Sequence, residues 1–130
     1  MNVDIEVEVT LTYTVSERII KGLLSSAFEG GSNYWYAIEK IEGLELADSI
    51  VGVPLNGGKL FIRDTLDDSR ENLYILDKEA ISKGLKRLLN LKNKDGRMHK
   101  QAKNVINDNF DAETGDCFLQ IALFDEIIYG

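Results

Sequence analysis

The chain has 130 residues, of which 44% are hydrophobic and 28% are charged, and its net charge is −7. This length is typical of one domain with a real core, so we expect a single domain over residues 1–130. No apolar run approaches the roughly 18 residues of a membrane span, and the acidic, alternating N-terminus is unlike a signal peptide. We therefore expect a cytosolic protein without membrane contact. One cysteine and one histidine exclude a disulfide framework and a conventional zinc site.

The charge is distributed unevenly along the chain. Residues 83–103 contain eight basic residues and one acidic residue, a net +7, whereas the remaining chain carries −14. A local concentration of positive charge is typical of an anion site, although a solvated helix face followed by a mobile loop gives the same pattern. Long nucleic acid would be repelled by the acidic remainder, so a small phosphate-bearing ligand fits better.

The first elements follow from the spacing of apolar residues. Residues 3–15 alternate strictly between apolar and polar side chains, which predicts a strand with one buried face. Apolar residues then recur at helical spacing over 16–29, with Ser16 or Thr14 as the N-cap. Gly30 and Gly31 predict the end of this helix.

The middle of the chain predicts three further strands. Aromatic and β-branched residues favour a strand over 34–41, although a continuation of the helix stays open. Residues 44–58 are typical of a loop. The segments 59–64 and 71–76 predict a hairpin joined by the polar turn 65–70.

The last third of the chain predicts two helices. Asp77 caps a helix over 78–91, and Asp111 begins the final helix. Between them, 92–109 is polar, basic and rich in asparagine, which predicts a long loop with a short helical turn. The order of elements indicates an α+β fold, with an antiparallel sheet and amphipathic helices packed on one face.

Two motifs suggest ligand contacts. Arg97 is the sharpest phosphate candidate because its planar fork gives two parallel hydrogen bonds, and His99 can add a donor. The run Asn56–Lys59 resembles a fragment of a phosphate-binding loop, but the complete pattern is absent and a hairpin entrance is favoured.

The aromatic triplet Tyr34-Trp35-Tyr36 has two interpretations. In a strand, Tyr34 and Tyr36 share one face and Trp35 points to the other, so one set is available to stack on a base. Core packing or a subunit contact is the favoured alternative.

Catalysis is poorly supported by the residue types present. His99 is the single histidine, and Cys117 lies in an apolar helical stripe typical of an inert buried thiol. Asp67 and Asp68 lack the other ligands of a calcium loop. The acidic residues near the start of the last helix are interpreted as helix-terminal charges: Asp111, Glu113 and Asp116. We therefore predict no enzyme activity, cofactor or metal.

Two stretches and one helix resemble a known family. The sequence resembles small proteins of phages and prophages of low-GC bacteria in three places: Glu29–Trp35, the helix at 78–91, and Gln120–Gly130. That group is similar to the Thoeris anti-defence sponges, which hold cyclic nucleotide signals, notably cyclic ADP-ribose isomers, away from immune effectors. The resemblance implies binding without turnover in the host bacterial cytosol, pockets near subunit interfaces, and dimers or larger homo-oligomers. The Lys- and Asn-rich segment 92–109 departs from the family pattern.

A cyclic ADP-ribose ligand offers a pyrophosphate, ribose hydroxyls and an adenine ring. The residues with matching chemistry are Arg97 and Arg63 for phosphate, Tyr34, Trp35, Tyr36 or Phe61 for stacking, Asn56 and Asn93 for sugar or base edges, and His99 as a further donor. One alternative function is a phage interaction protein that inhibits a host enzyme by direct contact. Another is a small hydrolase of cyclic nucleotides that works through carboxylates.

Overall fold

A computed structural model describes residues 3–67 and 72–130, and its sheet has three antiparallel strands. These are β1 (Tyr36–Glu42), β2 (Lys59–Asp64) and β3 (Leu73–Leu76), in the spatial order β1-β2-β3. Ile38 lies opposite Ile62, and a bulge follows before Lys40. The antiparallel sheet with its helices confirms the predicted α+β class.

Four α-helices accompany the sheet. They are α1 (Glu17–Ser26), α2 (Lys78–Leu89), α3 (Lys100–Ile106) and α4 (Ala112–Phe124). A π-helical turn, Ala27–Gly31, continues α1. None of the helices within the described ranges has the length and apolar content needed to cross a membrane.

Helix α4 occupies the centre of the molecule. Its residues 114–121 are all buried, and it packs against α1, α2, α3 and β3. The inward side chains of the sheet, Leu60, Ile62 and Leu76, are fully buried in the same core. Burial of this kind contributes roughly 1.5–3 kcal/mol for each large apolar side chain. The fold is therefore a set of elements arranged around one buried helix.

Two glycines allow the neighbouring helices to approach α4 closely. A Cβ on Gly84 of α2 would lie 2.8 Å from the Cβ of Ala122, and a Cβ on Gly115 of α4 would lie 2.7 Å from the carbonyl oxygen of Leu23. Both distances are shorter than real Cβ contacts. Glycine at these positions thus sets the close packing of α1 and α2 on α4.

A buried carboxylate ties α4 to the segment that leads into β1. Asp116 is 7% exposed, and its Oδ1 accepts hydrogen bonds from Ser32 Oγ and Trp35 Nε1, both at 2.7 Å. Its Oδ2 accepts from the hydroxyl of Tyr34 at 2.7 Å. The interpretation of Asp116 as a helix-terminal charge is therefore wrong, because its side chain turns inward and serves as an acceptor for three donors.

The prediction of an N-terminal strand with one buried face is also wrong. Residues 3–14 are exposed. In the described part of the chain, residues 3–16 belong to no helix or strand. The exposure of Val3, Ile5, Val7, Val9 and Leu11 ranges from 70% to 82%. Near the end of the segment, the hydroxyl of Tyr13 donates to the carbonyl of Ile106 at 3.4 Å. Alternation specifies the chemistry of a strand but not its partner, and none of the strands in residues 3–67 and 72–130 pairs with this segment.

The remaining expectations in the first half of the chain are largely confirmed. Ser16, and not Thr14, caps α1, because its side chain accepts from the amide of Ile19. The segment at 34–41 is a strand that begins at Tyr36, and the helical alternative is excluded. The loop 44–58 contains three short 3-10 turns.

In the second half, the hairpin of β2 and β3 is confirmed, while residues 68–71 of its turn lie outside the described residues. Asp77 and Asp111 cap α2 and α4 as expected. The segment 92–109 is more ordered than a loop, because Ala102 and Val105 bury one side of α3.

The Asp116 interactions lead to a stability prediction. We expect Asp116→Ala to lower the free energy of unfolding by roughly 3–5 kcal/mol, because three donors, two of them buried, lose their acceptor. Asp116→Asn keeps an oxygen for Ser32 and Trp35 and should cost about 1–2 kcal/mol. Urea unfolding measures both values. The exposed Glu113→Ala on the same helix is the control, and a loss for Asp116→Ala as small as the control's would contradict the account.

Candidate functional site

The first candidate site begins with the cationic face of α2. Lys83, Lys86, Arg87 and Asn90 are spaced at i, i+3, i+4 and i+7, so the helix presents them on one side. The opposite stripe of the helix, including Ile81 and Leu88, is buried. The same amphipathic pattern that packs α2 against α4 therefore directs its cations outward.

These side chains line a groove where α2 and α4 end. It has a volume of about 680 Å³ and is lined by Lys83, Lys86, Arg87, Asn90, Leu91 and Asp125, which we call the α2 groove. Asp125 is the C-cap of α4 and adopts a left-handed backbone conformation with φ of 65°. The α2 groove is within the range of small-molecule sites, which are commonly about 300–1,000 Å³.

The electrostatics of the α2 groove favour an anion. Within residues 3–67 and 72–130, Lys83, Lys86 and Arg87 form no ion pair with an acidic side chain. Asp125 contributes one carboxylate at the rim of the same groove. Ammonium and guanidinium groups bind phosphate oxygens, an amide binds base edges or hydroxyls, and a carboxylate accepts from ribose hydroxyls. The set therefore has donors and acceptors suited to a nucleotide.

The sequence-predicted phosphate residues do not lie in the α2 groove. Arg97 is exposed in the 92–98 segment and pairs with Asp95 at 3.7 Å. Arg63 is on β2 and pairs with Glu39. His99 caps α3, where its Nδ1 accepts from the amide of Gln101. Each of these side chains therefore has a local partner outside the α2 groove, and their role in phosphate binding stays a prediction.

The aromatic candidates differ in how deeply they are buried. Trp35 is fully buried, with Phe124 at 5.0 Å between ring centroids. Tyr36 is half-buried and donates its hydroxyl to the carbonyl of Phe28. Phe61 lies on the outer side of the sheet, with Lys40 Nζ 5.3 Å from its ring centroid. Of the four residues, Tyr34 is the most exposed, at 47%, although its hydroxyl is committed to Asp116.

The two asparagine candidates have structural partners. Asn56 donates to the carbonyl of Gly52 at 2.8 Å, within the loop before β2. Asn93 lies in the turn that joins Lys92 to Met98, and its amide nitrogen reaches the carbonyl of Met98 at 3.5 Å. Neither side chain lines the α2 groove.

A second concavity lies between α1 and β1. It has a volume of about 370 Å³ and is lined by Ser25, Phe28, Glu29, Tyr36, Ile38, Ser49, Ile50 and Val51. Among the described residues that line it, Glu29 is the only charged one, so this lining offers no cation for phosphate. Its lining suits an apolar group better than a nucleotide.

The basic segment 83–103 predicted from the sequence includes the cations of the α2 groove, although Arg97, and not these residues, was the predicted phosphate residue. The i, i+3, i+4 spacing of Lys83, Lys86 and Arg87 was the available signal, because one helix face gathers charges that a loop disperses. Asn90 extends the same face. Asp125 gave no comparable signal, since its place beside α2 depends on tertiary packing.

The described residues offer little nucleophilic or metal-binding chemistry. Burial raises the pKa of the Cys117 thiol to about 11, which keeps it protonated at neutral pH and fits the predicted inert thiol. No cluster of three His, Cys, Asp or Glu side chains suited to a metal occurs among residues 3–67 and 72–130.

Comparison of the chain with protein-family models, curated proteins and solved structures yields no match.

The two tyrosines bound to buried carboxylates predict a loss of stability in alkali. Desolvation and the Asp116 hydrogen bond raise the pKa of Tyr34 to about 12, and the hydrogen bond to Asp64 raises that of Tyr129 to about 12. Because the ordinary value is 10, the unfolded chain releases these protons first. Stability should therefore hold below pH 10 and fall between pH 10 and 12.

Urea unfolding across this pH range checks the sign. The variants Tyr34→Phe and Tyr129→Phe should each make the decline shallower, because each removes one titrating hydroxyl. If the free energy of unfolding of both variants fell with pH as steeply as that of the original chain, these two tyrosines would not be the cause of the decline.

Proposed function

We propose that this protein binds a small cyclic nucleotide in the α2 groove and sequesters it without cleavage, as a phage-encoded immune-evasion protein would. The observation that carries the proposal is the group of three cations on one face of α2, beside an amide and a carboxylate. Cyclic ADP-ribose isomers are the proposed ligands, since their pyrophosphate matches the cations and their ribose hydroxyls match Asp125. The family resemblance of the sequence supports the same ligand class.

Sequestration depends on tight binding and not on turnover. Rigid elements reduce the entropy lost on binding, and the α2 cations are mounted on a helix packed closely against α4 through Gly84. The proposed interaction requires no nucleophile, general base or metal in the groove. A stoichiometric binder of this kind would compete with an immune sensor for the signal.

The predicted stacking of an aromatic side chain on the adenine ring is not part of this proposal. The α2 groove is lined by Leu91 and polar side chains, without an aromatic residue. Leu91 can contact one face of a base, but recognition would depend mainly on the phosphates and sugar hydroxyls. We therefore propose a steep dependence of affinity on ionic strength, because the phosphate contacts are solvent-exposed charges.

Calorimetric titration with cyclic ADP-ribose isomers and cyclic dinucleotides tests the proposal. The double variant Lys86→Ala/Arg87→Ala should weaken binding roughly 100-fold or more, because each charge-assisted hydrogen bond is worth about 1.5–3 kcal/mol. The matched control, Lys40→Ala/Lys59→Ala, removes the same charge from the sheet, outside the groove, and should retain affinity.

The fate of the ligand separates the alternatives. Heating the complex and chromatographing the supernatant should return the ligand intact, whereas a hydrolase would return a changed molecule. Equal losses of affinity in both double variants would show that net charge, and not the α2 groove, controls binding. Absence of binding across the panel would overturn the proposal and favour direct contact with a host protein.

A further inference from the structure

The segment 3–15, which we call the arm, has the pattern of a strand but pairs with none of the described strands. Its odd-numbered residues are apolar from Val3 to Val15, and its even-numbered residues are polar. Exposed apolar strands with unpaired backbone groups are a liability that proteins normally cover. An arm that keeps this pattern over 13 residues therefore needs a partner strand.

The strands of the sheet do not match the arm in length. The longest described strand, β1, has seven residues, and the edge strand β3 has four. Pairing with either edge would leave much of the arm uncovered. A second arm is the element of equal length and equal periodicity.

The charges of the arm select one way of pairing two copies. Acidic residues occupy the even positions 4, 6 and 8, whereas threonines occupy the even positions 10, 12 and 14. Parallel pairing in register would set each acid beside its own copy, which is destabilising. Antiparallel pairing centred on Val9 sets every acid opposite a threonine and every apolar residue opposite another. The resulting cross-strand pairs are Val9–Val9, Glu8–Thr10, Val7–Leu11, Glu6–Thr12, Ile5–Tyr13, Asp4–Thr14 and Val3–Val15.

The neighbouring antiparallel registers are less favourable than the one centred on Val9. Centring the pair on Glu8 places the two Glu8 side chains opposite each other, and centring it on Val7 places Glu6 opposite Glu8 twice. Centring it on Thr10 avoids these clashes but leaves Val3 beyond the end of the partner arm. The Val9 register alone pairs the whole segment 3–15 without opposing acids.

We propose that the arm is an assembly strand, which pairs antiparallel with the arm of a second copy of this chain about a two-fold axis at Val9. A two-stranded ribbon is only marginally stable in water, and this one presents all of its apolar side chains on one face. Two ribbons stacked through that face would bury it at the spacing of packed sheets, roughly 10 Å. The assembly therefore contains an even number of chains. This inference does not depend on the proposed ligand.

Cross-linking tests the register in the full-length protein. Residues directly opposite in an antiparallel pair have Cα atoms about 4.5–5.5 Å apart, which suits a disulfide. Val9→Cys should therefore form an interchain disulfide under mild oxidation. In the control Val3→Cys the two new thiols would be about 40 Å apart at about 3.4 Å per residue, and should not cross-link. The native Cys117 is buried and does not interfere.

Charge variants and the assembly mass complete the test. Thr10→Glu faces Glu8 at two places in the ribbon and should weaken association roughly 2- to 30-fold, whereas Thr10→Lys should strengthen it. Analytical ultracentrifugation should find a dimer or a larger even-numbered assembly. The proposal would be overturned if the protein were a monomer or an assembly with an odd number of chains. It would also be overturned if positions 3 and 9 cross-linked equally, or if both Thr10 variants changed association in the same way.

Discussion

The Asp116 carboxylate accepts three hydrogen bonds, and these bonds hold the helices and the sheet together. Ser32, Tyr34 and Trp35 reach it from the turn that connects α1 to β1, and Asp116 itself belongs to the central helix α4. A carboxyl group at 7% exposure is costly to bury unless its oxygens are hydrogen-bonded. These donors provide that compensation and, in return, fix where the helical layer meets the sheet.

The C-terminal segment is held by the same face of α4. The side-chain oxygen of Gln120 accepts from the amides of Ile128 and Tyr129, each at 2.8 Å. Tyr129 then donates its hydroxyl to the buried Asp64 at the end of β2. Polar groups of α4 thus connect both flanking segments of the core, while Gly84 and Gly115 bring α2 and α1 close to it. The α2 groove follows from this packing, because α2 and the end of α4 form its walls.

Local patterns predicted local structure well and long-range placement poorly. Helical spacing and the capping residues Asp77 and Asp111 located α2 and α4, since caps and periodicity act within a few residues. The same reasoning assigned Asp116 to a helix terminus, because its partners lie more than 80 residues away. It also gathered Arg97 and Arg63 into one site, although each has its own ion-pair partner. For the arm, alternation indicated an extended segment but could not identify its partner, and no described strand pairs with it.

The central functional claim is that nucleotide phosphates bind the cationic face of α2. The most direct measurement is the amide NMR spectrum of the ¹⁵N-labelled protein during titration with a cyclic ADP-ribose isomer. If the ligand binds the α2 groove, the shifts will be concentrated in residues 83–91 and at Asp125, and the amides around the α1–β1 cavity will not move. Shifts confined to that cavity, or no shifts at saturating ligand, would contradict it.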